Sequence, residues 1–354
     1  MGSETEAFEA DFAEHLGAKH VLALSSCTAA LHLACIIAGV EPGDEVIVPS
    51  MTFVATANAV RYCNATPVFC DVVGESGDLN MDVELVESLI TERTKAVIPV
   101  HWAGYPVEIT RLVELCEKRG LNLIEDAAHA PWADYEGKPL GTYGQTGCFS
   151  FFPNKVLGVG EGGAICTDSD ELADRIRRLR SQGMTATTRD RHLGRAMGYD
   201  VVELGFNYRF DDVRASLLRS RFARLGEEIS RRRELIARYR ELLGGDERIH
   251  TAYAAQPVER SSCYLMGVLI DSEIRSAVRA RLRDEHGVQT TVYPATHALG
   301  GYVRTFGEVS LPRTEAAADS LFSIPLFPHM EDTQQERVAE AVLESVGALS
   351  EGGG

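Results

Sequence analysis

LNLIEDAAHA, residues 121–130, is an apolar run that ends in two acids, two alanines and a histidine. Its apolar residues keep no strict two-residue alternation, so Leu121–Glu125 predicts a strand covered on both faces, as in a parallel sheet. The same grammar extends in both directions. Towards the N-terminus, the periodicity predicts a helix over Ile109–Arg119, a strand over Ala96–Val100 and a helix over Val83–Ile90. Further back come strands at Pro67–Asp71, Glu45–Val48 and Val21–Leu24, with helices at Val54–Tyr62 and Ala29–Gly39 between them. Towards the C-terminus, strands follow at Gly147–Phe152 and Gly163–Thr167. This βαβ rhythm predicts a doubly wound α/β architecture with right-handed crossovers.

The character changes after about Asp168. A helix is expected over Leu172–Arg180, a polar loop over Gln182–Asp200, and one long amphipathic helix over roughly Asp211–Leu243. The remainder predicts a strand at Tyr264–Ile270, a helix at Glu273–His286, a strand at Val288–Val292 and two closing helices. The expected organisation is a large domain over 1–235 and a small C-terminal α+β domain over 236–354. The opening Met-Gly-Ser and closing Glu-Gly-Gly-Gly read as frayed tails.

The 354 residues carry 35 Lys and Arg against 52 Asp and Glu, a net charge of −17. So acidic a chain argues against nucleic acid, whose phosphates need clustered cations, but a cleft can still hold a small phosphorylated molecule. No apolar stretch approaches the ~20 residues of a membrane helix and no signal peptide opens the chain, which predicts a cytoplasmic protein without a membrane partner. The eight cysteines form no C-x-x-C pair and read as buried thiols.

Open parallel sheets bind ligands at the carboxyl ends of their strands, and four clusters fall there. Ser25-Ser26-Cys27-Thr28-Ala29 closes a strand and opens a helix, which suits either a phosphate site or a plain Ser N-cap. Asp126 and His129 end the Leu121 strand; a carboxylate there pairs with a positive group, or else caps a helix beside a core histidine. A metal lacks evident third and fourth ligands. Lys155 follows the run Phe149-Ser150-Phe151-Phe152-Pro153-Asn154 and precedes Gly158, Gly160, Gly162 and Gly163. Desolvation there favours a neutral, nucleophilic amine, against the plainer reading of a surface lysine; Ser150 could bond a phosphate oxygen. Thr52-Phe53 places an aromatic after a strand, for stacking on a flat ring or for core packing. Phosphate turn, aromatic, acid, serine and lysine together make the inventory of a pyridoxal-phosphate (PLP) site.

The segments SSCTAALHLA, GDEVIVPSMTFVATANAV, TKAVIPVHWAG, IEDAAHA, CFSFFPNK, GEGGAICT and ELGFNYRFDD give the chain a family resemblance. From about Phe8 to Met330 it resembles the DegT/DnrJ/StrS-type sugar aminotransferases, PLP enzymes of the aspartate-aminotransferase-like fold type I. That implies a large domain whose mostly parallel seven-stranded sheet is sandwiched by helices. Lys155 then looks like the residue that carries the cofactor and shuttles its proton, and Asp126 like the acid facing the pyridine nitrogen. Phe53 matches the aromatic stacked on the ring, Cys27, Thr28, Ala29 and Ser150 the phosphate contacts, and His129 a group near the phenolic oxygen. Asn207 matches a residue lent to the neighbouring subunit's phosphate, implying a homodimer with shared sites. Tyr293 and His297 fall where the family lines its substrate entrance. Cys27 stands where the family often has Gly. The chain starts close to the FEADFAEHLG helix, which family members usually precede with a further segment shaping the substrate side.

Related proteins with His at the Lys155 position perform dehydration, so lysine favours transamination. The implied reaction moves nitrogen from glutamate or glutamine, through pyridoxamine 5'-phosphate, to a nucleotide-linked ketosugar. The alternatives are a cyclitol or amino-shikimate-type ring of antibiotic biosynthesis, and a PLP-binding regulator without turnover.

Overall fold

The computed structural model describes residues 1–74, 77–186, 191, 194 and 196–350. The strands are β1 (His20–Leu24), β2 (Glu45–Pro49), β3 (Thr66–Cys70), β4 (Thr94–Val97), β5 (Asn122–Asp126), a hairpin of β6 (Asp134–Tyr135) and β7 (Lys138–Pro139), β8 (Thr146–Ser150) and β9 (Gly163–Thr167). Seven of them form one sheet in the order β1-β9-β8-β5-β4-β2-β3. Only β9 runs against its neighbours; β2, β3, β4, β5 and β8 pair in parallel. The carboxyl ends of β1, β2, β5 and β8 therefore share one edge, where Leu24, Pro49, Asp126 and Ser150 end their strands.

Alternate strand residues serve opposite faces, as the pleat requires. Ala23, Ile47, Val97, Leu123 and Phe149 join a core with Phe8, Phe12, Ile109 and Leu112. Leu24, Val48, Ala96, Ile124 and Cys148 join a second core with Leu31, Leu33, Val60 and Ile176. Helices thus cover both faces, which explains why these strands lack hydrophobic alternation. Ser3, read as tail, instead begins a helix over Ser3–Leu16. Asp212 holds its start by accepting from Gly2 N at 2.8 Å and Thr5 Oγ1 at 2.7 Å.

The run expected as one helix over Asp211–Leu243 is two, Asp212–Phe222 and Leu225–Leu243. The break itself, Ala223–Arg224, holds neither Gly nor Pro. It lets both Leu218 and Leu225 turn into the first core, and it leaves Arg221 free to donate to the carbonyls of Gly158 and Val156 at 2.9 and 3.4 Å. Along the second helix the burial changes hands: Leu225 and Ile229 pack in the first core, whereas Leu235, Ile236, Tyr239 and Leu243 pack in a third, C-terminal core.

That third core holds β10 (His250–Thr251), β11 (Met266–Leu269) and β12 (Leu321–Ile324) in one antiparallel sheet. The strand expected at Val288–Val292 reduces to a single bridge, Thr291 to Ser323. Its backbone is used locally, with Val288 N donating to Leu282 O at 2.7 Å and the Thr290 hydroxyl accepting from Arg279 at 3.0 Å. Of the loop expected over Gln182–Asp200, positions 187–190, 192, 193 and 195 lie outside the described residues. All eight cysteines are buried and unpaired.

Candidate active site

The turn after β8 presents Lys155. Its backbone N donates to Phe152 O at 2.9 Å, and a Cβ on Gly158 would sit 2.5 Å from that same oxygen, so the turn closes only with glycine there. The Lys155 amine lies 4.5 Å from the centre of the Tyr264 ring. Burial lowers its pKa from 10.5 to about 8, with Asp126 opposing that shift. A nucleophilic amine is what such a lysine becomes.

Asp126 ends β5 with both oxygens engaged. Oδ1 accepts from Ala128 N at 3.1 Å and Oδ2 from the Thr56 hydroxyl at 2.8 Å. Burial pushes its carboxyl upwards, while these bonds and the Lys155 charge favour the ionised form. Its neighbour Glu125 points to the opposite face and has a structural task. It accepts from the backbone N–H groups of Gly141, Tyr143 and Gly144 at 2.6–2.8 Å and from His101 Nε2 at 3.0 Å. His101 Nδ1 accepts from Val107 N at 3.3 Å, so the ring hydrogen sits on Nε2. The two acids that close β5 are thus divided by the pleat: Glu125 anchors the 141–144 turn and Asp126 faces the site.

His129 is buried, and burial drives its pKa well below 6.5. Its ring stacks on Tyr264 at 4.1 Å, and its Nδ1 is a buried polar atom without a hydrogen-bond partner, ready for a ligand oxygen. Tyr264, which touches both His129 and Lys155, was not among the sequence candidates. Its segment, Ser-Ser-Cys-Tyr-Leu, has no motif that marks it, and only the fold returns it to the site, with Tyr264 N donating to Ala103 O at 3.1 Å.

At the β1 end, Ser26 caps the Cys27–Ile37 helix by accepting from Ala29 N at 3.1 Å. The N-cap reading is therefore realised, and it occupies the Ala29 amide. Cys27 is buried behind the turn, its thiol pushed well up by burial. Gly163, paired with both Leu24 and Ser150, completes the cradle. A Cβ there would lie 2.4 Å from Cys27 N. Ser150 is buried and accepts only a long contact, 3.4 Å from Phe152 N, which leaves its hydroxyl proton for a ligand. Phe53 is 71% exposed, its ring packed into no core. Asn207 is exposed in a segment bridged to Ser181, and Tyr208 O there accepts from Ser25 N at 2.9 Å.

The two entrance candidates behave differently. Tyr293 meets Trp102 edge-on at 5.4 Å, and its hydroxyl lies 3.2 Å from Ser323 Oγ. His297 is only 4% exposed, with Nδ1 at 2.6 Å from Ser50 Oγ and Nε2 at 3.3 Å from Glu315. Both ring nitrogens are engaged, so His297 as placed fastens its turn to the loop after β2 and offers no free nitrogen to a substrate.

A lysine driven toward neutrality, a buried carboxylate, an orphaned imidazole nitrogen and an open helix-start cradle fit PLP, and the sheet order puts them on one edge. The chain is a PLP-dependent transferase of fold type I. It belongs to the DegT/DnrJ/EryC1/StrS aminotransferase family, which it matches over residues 1–343. It is 39% identical to the UDP-4-amino-4-deoxy-L-arabinose–oxoglutarate aminotransferase of Shewanella sediminis, over 98% of this chain and 91% of that one. The crystal structure of the aminotransferase TlmJ from Streptoalloteichus hindustanus superposes with a TM-score of 0.90 at 38% identity, over 98% of this chain and 92% of that one. The pyridoxamine-phosphate form of Spr1654 from Streptococcus pneumoniae gives 0.91 at 26% identity over 99% and 93% of the two chains. The chain is accordingly an aminotransferase that uses PLP and its amine form.

Proposed function

We propose that this aminotransferase moves an amino group from glutamate or glutamine to the keto group of a nucleotide-linked sugar. The single observation that carries turnover is the buried Lys155 amine, its pKa lowered to about 8, in a pocket it shares with the Asp126 carboxyl. The acceptor and donor classes are supported by the relative from Shewanella sediminis, named for a UDP-linked amino sugar and for oxoglutarate, the keto product of glutamate.

Bound PLP supplies an aldehyde and an electron-accepting ring. Lys155 Nζ would hold it covalently at rest and would be the group that takes and returns a proton. Asp126 would hold the ring nitrogen's proton by charge, and the unpartnered His129 Nδ1 would serve the phenolic oxygen. Thr28, Cys27 and Ser150 would hold the phosphate at the helix start, and Phe53 would stack on the ring. Tyr293 lines the entrance. Asn207 serves the site of a second copy; exposed Leu204, Val213 and Leu217 near it in sequence support a covering partner. The compartment we assign is the cytoplasm. Among the described residues no helix is long and apolar enough to cross a membrane.

The test is a mass-spectrometric screen of nucleotide-linked ketosugars and inososes with glutamate and glutamine. Amination of a nucleotide-linked ketosugar is the expected result. Exclusive amination of an inosose would replace the acceptor, and a visible absorption unmoved by any amino donor would favour a regulator.

A further inference from the structure

The environment of Asp126 contains a second pair of polar side chains with a fixed direction. Thr56 is 1% exposed, and its hydroxyl lies 2.8 Å from Asp126 Oδ2 on one side and 2.8 Å from the Thr52 hydroxyl on the other. A hydroxyl has one hydrogen to give. A carboxylate oxygen takes no other role than acceptor, so the Thr56 hydrogen is committed to Asp126. Thr52 must therefore donate to Thr56. The order is Thr52 to Thr56 to Asp126, and each donation polarises the next. The far end is clamped as well: the Thr296 hydroxyl donates to Thr52 O at 2.9 Å, and Thr296 N donates to Ser50 O at 3.0 Å.

The titratable groups around Asp126 come from four other elements: Lys155 after β8, His101 after β4, Cys27 at the helix start and Cys148 within β8. The two thiols stay protonated, and the His101 hydrogen is directed at Glu125. Burial alone would drive the carboxyl to its neutral form, in which it loses its hold on a protonated ring nitrogen. We propose that Thr52 and Thr56 are positioning residues, a two-hydroxyl relay that keeps Asp126 ionised and aimed while the cofactor is bound. The inference rests on the assignment of Asp126 to the ring nitrogen.

The experiment compares wild type, Thr56→Val, Thr56→Ser, Thr52→Val and Asp126→Asn, each purified and reconstituted with PLP. Three readouts are taken: PLP affinity, the pH midpoint of the bound cofactor's visible absorption, and thermal unfolding. Thr56→Val keeps the shape and removes a bond to a charge, so PLP affinity should fall about tenfold and the pH midpoint should move by more than about half a unit. Thr52→Val should move both in the same direction by about two- to threefold in affinity. Thr56→Ser, which restores the donor, should stay within about twofold of wild type. If Thr56→Val matches wild type in affinity and midpoint while Asp126→Asn loses affinity, the relay is refuted and the Asp126 assignment stands. If Asp126→Asn also matches wild type, the assignment itself falls. Should Thr56→Val not yield folded protein, Thr52→Val decides alone, because it leaves every bond of Asp126 in place; an unmoved midpoint there overturns the relay.

Discussion

Replacing Tyr264 by leucine should make Lys155 a faster nucleophile at neutral pH. The ring lies 4.5 Å from the amine, within cation–π range, and stabilises its charged form. Leucine keeps the site apolar, so burial continues to depress the amine while the ring's attraction disappears. A contact of about 1 kcal/mol corresponds to about 0.7 of a pKa unit. Starting from about 8, the midpoint should drop to just above 7. At pH 7 the neutral fraction then rises from about one-tenth to about one-third, a roughly threefold gain. An exposed lysine, ordinarily near 10.4, would be neutral in well under about 0.1% of molecules at that pH. The assay is stopped-flow absorbance of apoenzyme mixed with excess PLP, from pH 6 to 10. Wild type should accelerate up to about pH 8 and then level off. Tyr264→Leu should lead it below that point and coincide with it above pH 9.5. A wild-type midpoint above 9.5, or slower capture by Tyr264→Leu at pH 7, would refute the reasoning.

Three further outcomes are expected. Glu125→Ala strands four donors, two of them fully buried, and should cost about 3–5 kcal/mol, read as a fall of several degrees in Tm; a Tm within two degrees of wild type would contradict the anchoring role. Gly163→Ala puts a methyl 2.4 Å from Cys27 N, so fluorescence titration should show PLP binding weakened by about tenfold or more. Unchanged affinity would place the phosphate elsewhere. His297→Ala should lower stability by about 1–3 kcal/mol and leave KM within about twofold; a large rise in KM at constant Tm would return this residue to substrate contact.

The strands of the large sheet were legible because burial on both faces leaves no room for polar alternation, and the candidate site was sought where strands end. Lys155 and Asp126 are assigned to it for that reason. Glu125 and Asp126 could not be told apart in role until the pleat sent them to opposite faces. Tyr264 and Thr56 were silent, since each reaches the site through contacts between distant segments that leave no local pattern, and so was His101, which meets Glu125 on the opposite face. The break at Ala223–Arg224 escaped because both halves have the same helical preference and the packing alone decides. His297 fell in the right neighbourhood, but its two hydrogen bonds, to Ser50 and Glu315, belong to tertiary structure.

The fastening of the 296–302 segment onto the loop and helix after β2 has a consequence in time. Thr296 grips Thr52, and Tyr302 donates to Asn58, in each case across 244 positions of sequence. A nascent chain can lay down β1 to β9 and their covering helices as they emerge from the ribosome. The loop bearing Thr52 and Phe53, however, gains its clamp only once Thr296 has been made, 244 positions later. The vitamin-derived group therefore meets a finished receptor only after that segment has been made, and the earlier-made loop waits for it.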